Sequence, residues 1–215
     1  MRIARVVCQS LLVVMLLLIG LGVSAQQSPA TGEYEPQPGQ AGKDVMWLPT
    51  ETALAETMLN LAGVTATDFV IDLGSGDGRI VITAAKRGAR GLGIEYNPDL
   101  VALSQRTALR EGVGDRAQFV KADIFESDFS QATVLTMFLL PELNLQLRPK
   151  ILALKPGTRV VSNSFDMGEW QADREIALSK AEGCDTVYCR AFFWIVPARV
   201  AGIWKLPQGD LVLRQ

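Results

Sequence analysis

Apolar and polar positions follow two rhythms along this chain, and the rhythm switches repeatedly after residue 50. Leu54, Met58, Leu61 and Ala62 recur at helical spacing, which predicts a helix capped by Thr50 and stopped by Gly63. The short apolar run Phe69–Leu73 predicts a strand, 79–87 a helix burying Ile80, Val81, Ala84 and Ala85, and 91–95 a second strand. Pro98 suits the first turn of a helix that runs to Glu111 and stops at Gly112. Strands are expected at 118–121, 133–140 and 159–164. The stretch 143–154 is mostly helical in pattern, with Pro149 expected to interrupt it. Alternating apolar strands and helices imply an α/β fold, a mostly parallel sheet with helices on both faces. From residue 175 the helices give out. The runs 175–179, 186–196, 200–206 and 211–213 read as strands joined by short turns, either an antiparallel end to the sheet or a small added β unit.

Ahead of this region the pattern is different. Arg2 and Arg5 precede an apolar run from Leu11 to Ile19, and Val23, Ser24 and Ala25 make a small-residue cleavage site, so residues 1–25 read as a secretory leader or, if uncleaved, a membrane anchor. Either reading sends the domain outward, to an exported or membrane-associated location, the periplasm in a bacterium. Residues 26–45, with Pro29, Pro36, Pro38, Gly32, Gly39 and Gly42 among polar residues, read as a flexible linker. The main domain is then expected over 46–197, with a short β extension over 198–215.

Composition narrows the chemistry. The 215 residues are 48% hydrophobic and carry a net charge of −2 with no histidine, which removes imidazole catalysis, histidine-ligated zinc and Ser-His-Asp triads. No long basic run marks a nucleic-acid surface, so none is expected as partner. No metal site is expected. Of three cysteines, Cys8 lies in the leader; Cys184 and Cys189 are read as buried packing residues in preference to a disulfide across a tight turn.

The most informative stretch is Asp72-Leu73-Gly74-Ser75-Gly76-Asp77-Gly78-Arg79, where a strand runs into a glycine-rich turn and a helix. Glycines there let backbone approach a ligand and permit positive φ. The dinucleotide fingerprint fails because its third glycine would fall at Arg79, and a Walker loop fails because no Gly-Lys-Ser/Thr follows. Glu95 ends the second strand about 20 residues beyond Gly74, where a carboxylate can accept from both ribose hydroxyls.

Asp72, Gly74, Gly76 and Gly78 resemble the first motif of class I S-adenosylmethionine-dependent methyltransferases, acidic-x-Gly-x-Gly-x-Gly. The resemblance implies a Rossmann-like class I methyltransferase fold and S-adenosyl-L-methionine as cofactor. It also implies cofactor contacts at Ser75, Glu95 and the following Tyr96, and an acid after the third strand, Asp123 with Ile124, that receives the adenine amino group. A narrower resemblance covers 47–170. The glycine turn with Ile80-Val81, then Ala84-Ala85-Lys86-Arg87-Gly88 and Gly93-Ile94-Glu95-Tyr96-Asn97-Pro98, is similar to the protein-lysine methyltransferases that modify mitochondrial membrane carriers and the c-ring protein of ATP synthase, and to their bacterial relatives. In that family an aromatic-x-Pro-Thr segment helps close the cofactor site. Trp47, Pro49 and Thr50 stand there in this chain, a position equally suited to a helix cap with a hydrophobic staple.

The chain departs from methyltransferases of base or amide nitrogens. Where those carry Asp/Asn-Pro-Pro-Tyr/Phe after the fourth strand, it has Phe138-Leu139-Leu140-Pro141-Glu142-Leu143-Asn144. Pro141, Glu142 and Asn144 are the candidate catalytic residues, with Glu142 orienting a lysine or simply opening a helix in solvent. The expected acceptor is a protein lysine; a small or lipidic acceptor, or a non-catalytic exported module that keeps the fold, is the alternative. An activated sulfonium methyl needs positioning more than acid-base chemistry, so the absence of histidine is no obstacle.

Overall fold

A computed structural model describes residues 34–200 and 202–213. The leader expected over 1–25, including Cys8 and the cleavage site, and residues 26–33 of the expected linker lie outside the described residues. Among the described residues no helix is long and apolar enough to cross a membrane.

Helix α1 (Thr52–Leu61) leads into β1 (Phe69–Leu73), α2 (Arg79–Lys86), β2 (Arg90–Glu95), α3 (Pro98–Arg110), β3 (Ala117–Lys121), β4 (Val134–Met137), α4 (Pro141–Leu152) and β5 (Arg159–Asn163). The antiparallel part follows as β6 (Arg174–Ala177) and β7 (Arg190–Ile195), and the hairpin β8 (Gly202–Leu206) and β9 (Gly209–Leu213) forms its own two-stranded sheet. The main sheet runs β3-β2-β1-β4-β5-β7-β6. Its first five strands are parallel, and β7 is antiparallel to both β5 and β6. Both readings of the late strands are realised: an antiparallel sheet end and a separate β unit.

Successive strand residues alternate between faces. Val70, Val134, Val161 and Phe193 pack with Leu54 and Met58 of α1 and Ile80 and Ala84 of α2, whereas Ile71, Leu135, Val160 and Trp194 pack with Leu147 and Ile151 of α4. Helix α3 joins α2 over β3 through Val101, Ala108, Val81, Ala85 and Phe119. Chain order reverses direction across the sheet between β1 and β4, and ligands of open α/β sheets bind at the carboxyl ends of such strands.

Four local expectations are corrected. Thr50 does not cap α1: Glu51 holds that position without a side-chain cap, and Thr50 Oγ1 instead accepts from Asn163 Nδ2 at 3.1 Å. Pro149 does not interrupt α4, because it and Leu145, whose carbonyl it leaves without a helical donor, both lie on the exposed side. That helix also begins at Pro141, two residues early, since proline is pre-set for the first helical position. Cys184 and Cys189 form a disulfide, their Cα atoms 5.7 Å apart across a turn that brings them within bridging reach.

Candidate active site

The floor of the site is the carboxyl end of β1. Asp72 and Thr136 are paired in register on adjacent strands, and Thr136 Oγ1 donates to Asp72 Oδ1 at 2.7 Å. The chain then turns over the end of β2, where the Gly74 and Ser75 amides both donate to the Ile94 carbonyl, at 2.9 and 3.1 Å. This close descent needs Gly93, since a Cβ there would lie 2.5 Å from Ser75 Oγ. Ser75 Oγ is buried without a partner in the protein.

Glu95 binds the turn from the side. Its Oε2 accepts from the Gly76 amide and its Oε1 from the Asn97 amide, both at 2.9 Å, so the carboxylate is fixed with lone pairs to spare. Burial, with Glu95 and Asp77 nearby, pushes the Asp72 carboxyl up to about 7 against the opposing hydrogen bond from Thr136.

The roof comes from the stretch read as linker. Its last residues, 39–45, form a small hairpin with Met46 and Trp47 of the expected domain, closed by the Gly39 amide donating to the Trp47 carbonyl at 2.8 Å and the Trp47 amide to the Gln40 carbonyl at 2.9 Å. Lys43 at its tip forms an ion pair with Asp123 and lies 5.0 Å from the centre of the Tyr96 ring. The hydrogen bond from Lys43, with the Phe125 amide, holds the Asp123 carboxyl below its usual range. Trp47 rests on Gly76, where a Cβ would come within 2.5 Å of its Nε1. Arg79 Nη1 donates to the Thr50 carbonyl at 2.7 Å while its Nε holds Asp77, clamping the segment onto the glycine turn.

Between floor and roof lies a cleft of about 950 Å3, counted to its open mouth. Of the residues picked out by sequence, Thr50, Asp72, Gly74, Ser75, Gly76, Glu95, Tyr96, Asp123 and Ile124 line it, as do Trp47 and Pro49. Gly78 does not; it faces Phe119 and Ser104, and so serves packing rather than a ligand. Nor are Pro141, Glu142 and Asn144 brought to the cleft. Starting α4 at Pro141 turns Leu143 inward, and residues one step away on a helix point about 100° elsewhere. Glu142 is exposed, and Asn144 is buried with Nδ2 donating to Ser162 Oγ, the Phe165 carbonyl and the Asp166 carbonyl. Sequence reasoning missed Lys43, Thr136 and Arg79. A threonine in register with the motif acid is a signal that strand pairing could have supplied; nothing local marks Lys43. Among the described residues no cluster could hold a metal ion.

The donor set suits an adenosyl ligand. An anchored carboxylate for a diol, a second acid 28 positions on beside apolar Ile124 and a buried acid for a cationic end all line one cleft. Fold and site together define a class I S-adenosylmethionine-dependent methyltransferase. The sequence profile of the ANTKMT methyltransferase domain matches residues 72–174. A protein-lysine N-methyltransferase of Saccharolobus islandicus is 42% identical over 147 residues, 67% of this chain and 91% of the relative. The chain belongs to this family of S-adenosylmethionine-dependent methyltransferases. A human lysine N-methyltransferase, named for the c-ring protein of ATP synthase, is 41% identical over 120 residues, 55% of this chain; that match spans half of the human protein. A crystal structure described as an RNA methyltransferase from Salinibacter ruber, in complex with S-adenosyl-L-homocysteine, superimposes with a TM-score of 0.65 at 45% identity, over 71% of this chain and 96% of that one.

Proposed function

We propose that this chain transfers methyl groups to protein lysine side chains. The observation that carries the reading is the surface flanking the cofactor cleft on the β4 side, formed by Phe138, Leu139, Leu140, Phe165 and Tyr188 and bearing a single cation, Lys43, which is already paired with Asp123 and Asp44. Such a surface suits the aliphatic stem of a lysine. The 42% identity to a relative named for protein-lysine methylation supports the same acceptor. The Salinibacter structure, described as an RNA methyltransferase, favours a second reading, RNA. Against it, nucleic-acid sites gather free basic side chains, and this wall has none.

S-adenosylmethionine supplies an activated methyl group on a sulfonium, so the protein has to bind, orient and exclude water. With the cofactor bound, Glu95 would hold the ribose hydroxyls, Asp123 and Ile124 would face the base, and Asp72 would offset positive charge at the amino-acid end. Residues 39–47 keep water out. A lysine, with a reference pKa of about 10.4, must reach the site neutral, and desolvation against Phe138 and Leu139 favours that form. An exported location, as the N-terminal pattern suggests, is supported by the Cys184–Cys189 bridge, since disulfides persist in oxidising compartments.

The test is transfer of labelled methyl to a cell extract split into protein, RNA and lipid, followed by acid hydrolysis of the protein. Label is expected to co-migrate with methyllysine; label confined to RNA or lipid would overturn the acceptor assignment.

A pH dependence follows from Asp72. Its folded-state pKa is raised, so its contribution to stability is fully present below about 4 and is lost as pH rises toward about 7. Binding of a cation beside it requires the ionised form and releases a proton. Cofactor affinity is therefore expected to be about tenfold weaker at pH 6 than at pH 8 in calorimetric titrations, with the difference abolished in Asp72→Asn.

A further inference from the structure

A second cleft, about 1110 Å3 to its open mouth, adjoins the first. The two share residues 41–46, Leu48, Phe138 and Leu139, so the hairpin and the end of β4 form a common wall. Three rings gather in the second cleft: Phe138 meets Tyr188 edge to face at 5.4 Å and Phe165 in a stacked arrangement at 6.3 Å, and Phe165 lies 6.1 Å from Tyr188.

The rings come from three separate places, and each is held. Phe138 follows β4 directly. Phe165 is fixed by the buried Asn144 amide, which donates to its carbonyl at 3.1 Å. Tyr188 belongs to the segment between β6 and β7. There the Leu178 amide donates to the Cys189 carbonyl at 2.8 Å, and Glu182 accepts from both the amide and the hydroxyl of Ser179, at 2.9 and 2.6 Å. Cys184 is buried in the cluster of Leu54, Met58 and Phe193, so its bridge to Cys189 roots the loop in the domain beside Tyr188. The adjoining Val187 is 88% exposed at the loop tip.

We propose that this second cleft is the acceptor site, that it takes a lysine side chain from an extended polypeptide, and that Tyr188, held by the disulfide loop, determines how tightly the acceptor binds. The proposal rests on the protein-lysine reading above. Aromatic rings pack the methylene stem and attract the incoming ammonium or methylammonium head at the mouth, before desolvation against Phe138 and Leu139 favours loss of its proton to water. The one cation on the wall, Lys43, is engaged by Asp44 and Asp123, so the wall presents no free positive charge to repel a lysine. The open mouth and the exposed Val187 suit a chain lying across the entrance. Continuity with the cofactor cleft past Phe138 and Leu139 gives the lysine a short path to the methyl group.

The test uses the full chain with Tyr188→Ala, Tyr188→Phe and the double variant Cys184→Ser/Cys189→Ser. Methyl transfer to reduced, unfolded casein is followed as methyllysine after hydrolysis, and S-adenosylhomocysteine affinity is measured by calorimetry. Tyr188→Ala and the double variant are expected to raise the casein KM at least about tenfold, with kcat and S-adenosylhomocysteine affinity within about twofold of wild type; Tyr188→Phe, which keeps the ring, is expected to stay near wild type. If a variant loses S-adenosylhomocysteine affinity, wild-type protein treated with a phosphine reductant replaces it and must show the same rise. An unchanged KM in Tyr188→Ala, or in the reduced wild type, would overturn the acceptor site and leave lysine methylation resting on the label recovered as methyllysine and on the 42% identical relative. Wild type that labels no casein lysine would overturn both.

Discussion

Alanine at Glu95 is expected to weaken S-adenosylhomocysteine binding by at least about 100-fold while the domain stays folded. In the proposed binding mode the ribose hydroxyls would donate two hydrogen bonds to this carboxylate, each worth ~1.5–3 kcal/mol, and a tenfold change in affinity corresponds to ~1.4 kcal/mol. The substitution also leaves the Gly76 amide without its acceptor and so loosens the glycine turn. Glu95 is only partly buried and packs in none of the three core clusters, so melting temperature should move little. Glu95→Gln keeps one carbonyl oxygen and should fall between wild type and alanine. Calorimetry paired with thermal melts checks both halves; unaltered affinity in Glu95→Ala would remove Glu95 from the binding site.

The converse result is expected at Gly78. Alanine there must take φ +80° and place its Cβ 2.6 Å from Phe119 Cε1 and 2.8 Å from Ser104 Cβ. Left-handed backbone costs an alanine ~1–2 kcal/mol and overpacking a further ~1–3 kcal/mol. Against a typical total stability of ~5–15 kcal/mol this is a large loss, visible as a fall in melting temperature of about 10 °C. Gly157 separates the two causes. It has φ +88° with nothing within 4 Å of a built Cβ, so Gly157→Ala should show the backbone cost alone. Equal melting temperatures for the two variants would refute the packing role of Gly78.

The contrast between these glycines shows how far sequence carried the reading. Spacing placed Asp72, Gly74, Gly76 and Glu95 at one site because a strand, a tight turn and the end of the next strand are adjacent whenever the sheet is parallel. It could not separate Gly78, which meets Phe119 and Ser104 from distant parts of the chain. Helical phase explains the failure at Glu142 and Asn144: the start of α4 decides which residue turns inward, and boundaries are the least legible part of a sequence. Residues 39–45 read as linker because their polar, glycine-containing stretch shows no periodicity, yet the hairpin they form with Met46 and Trp47 finds its partners Asp123, Tyr96 and Gly76 far along the chain. The disulfide was equally hidden, since six residues of turn can bring two thiols together or keep them apart.

The hairpin that walls both clefts also bears on how many methyl groups one encounter can deliver. If the spent cofactor leaves by displacement of residues 41–46, the same movement unroofs the neighbouring cleft and frees whatever lies there. Each transfer would then be a separate visit, and on the proposed lysine reading monomethylated product is expected to build up before dimethylated and trimethylated forms.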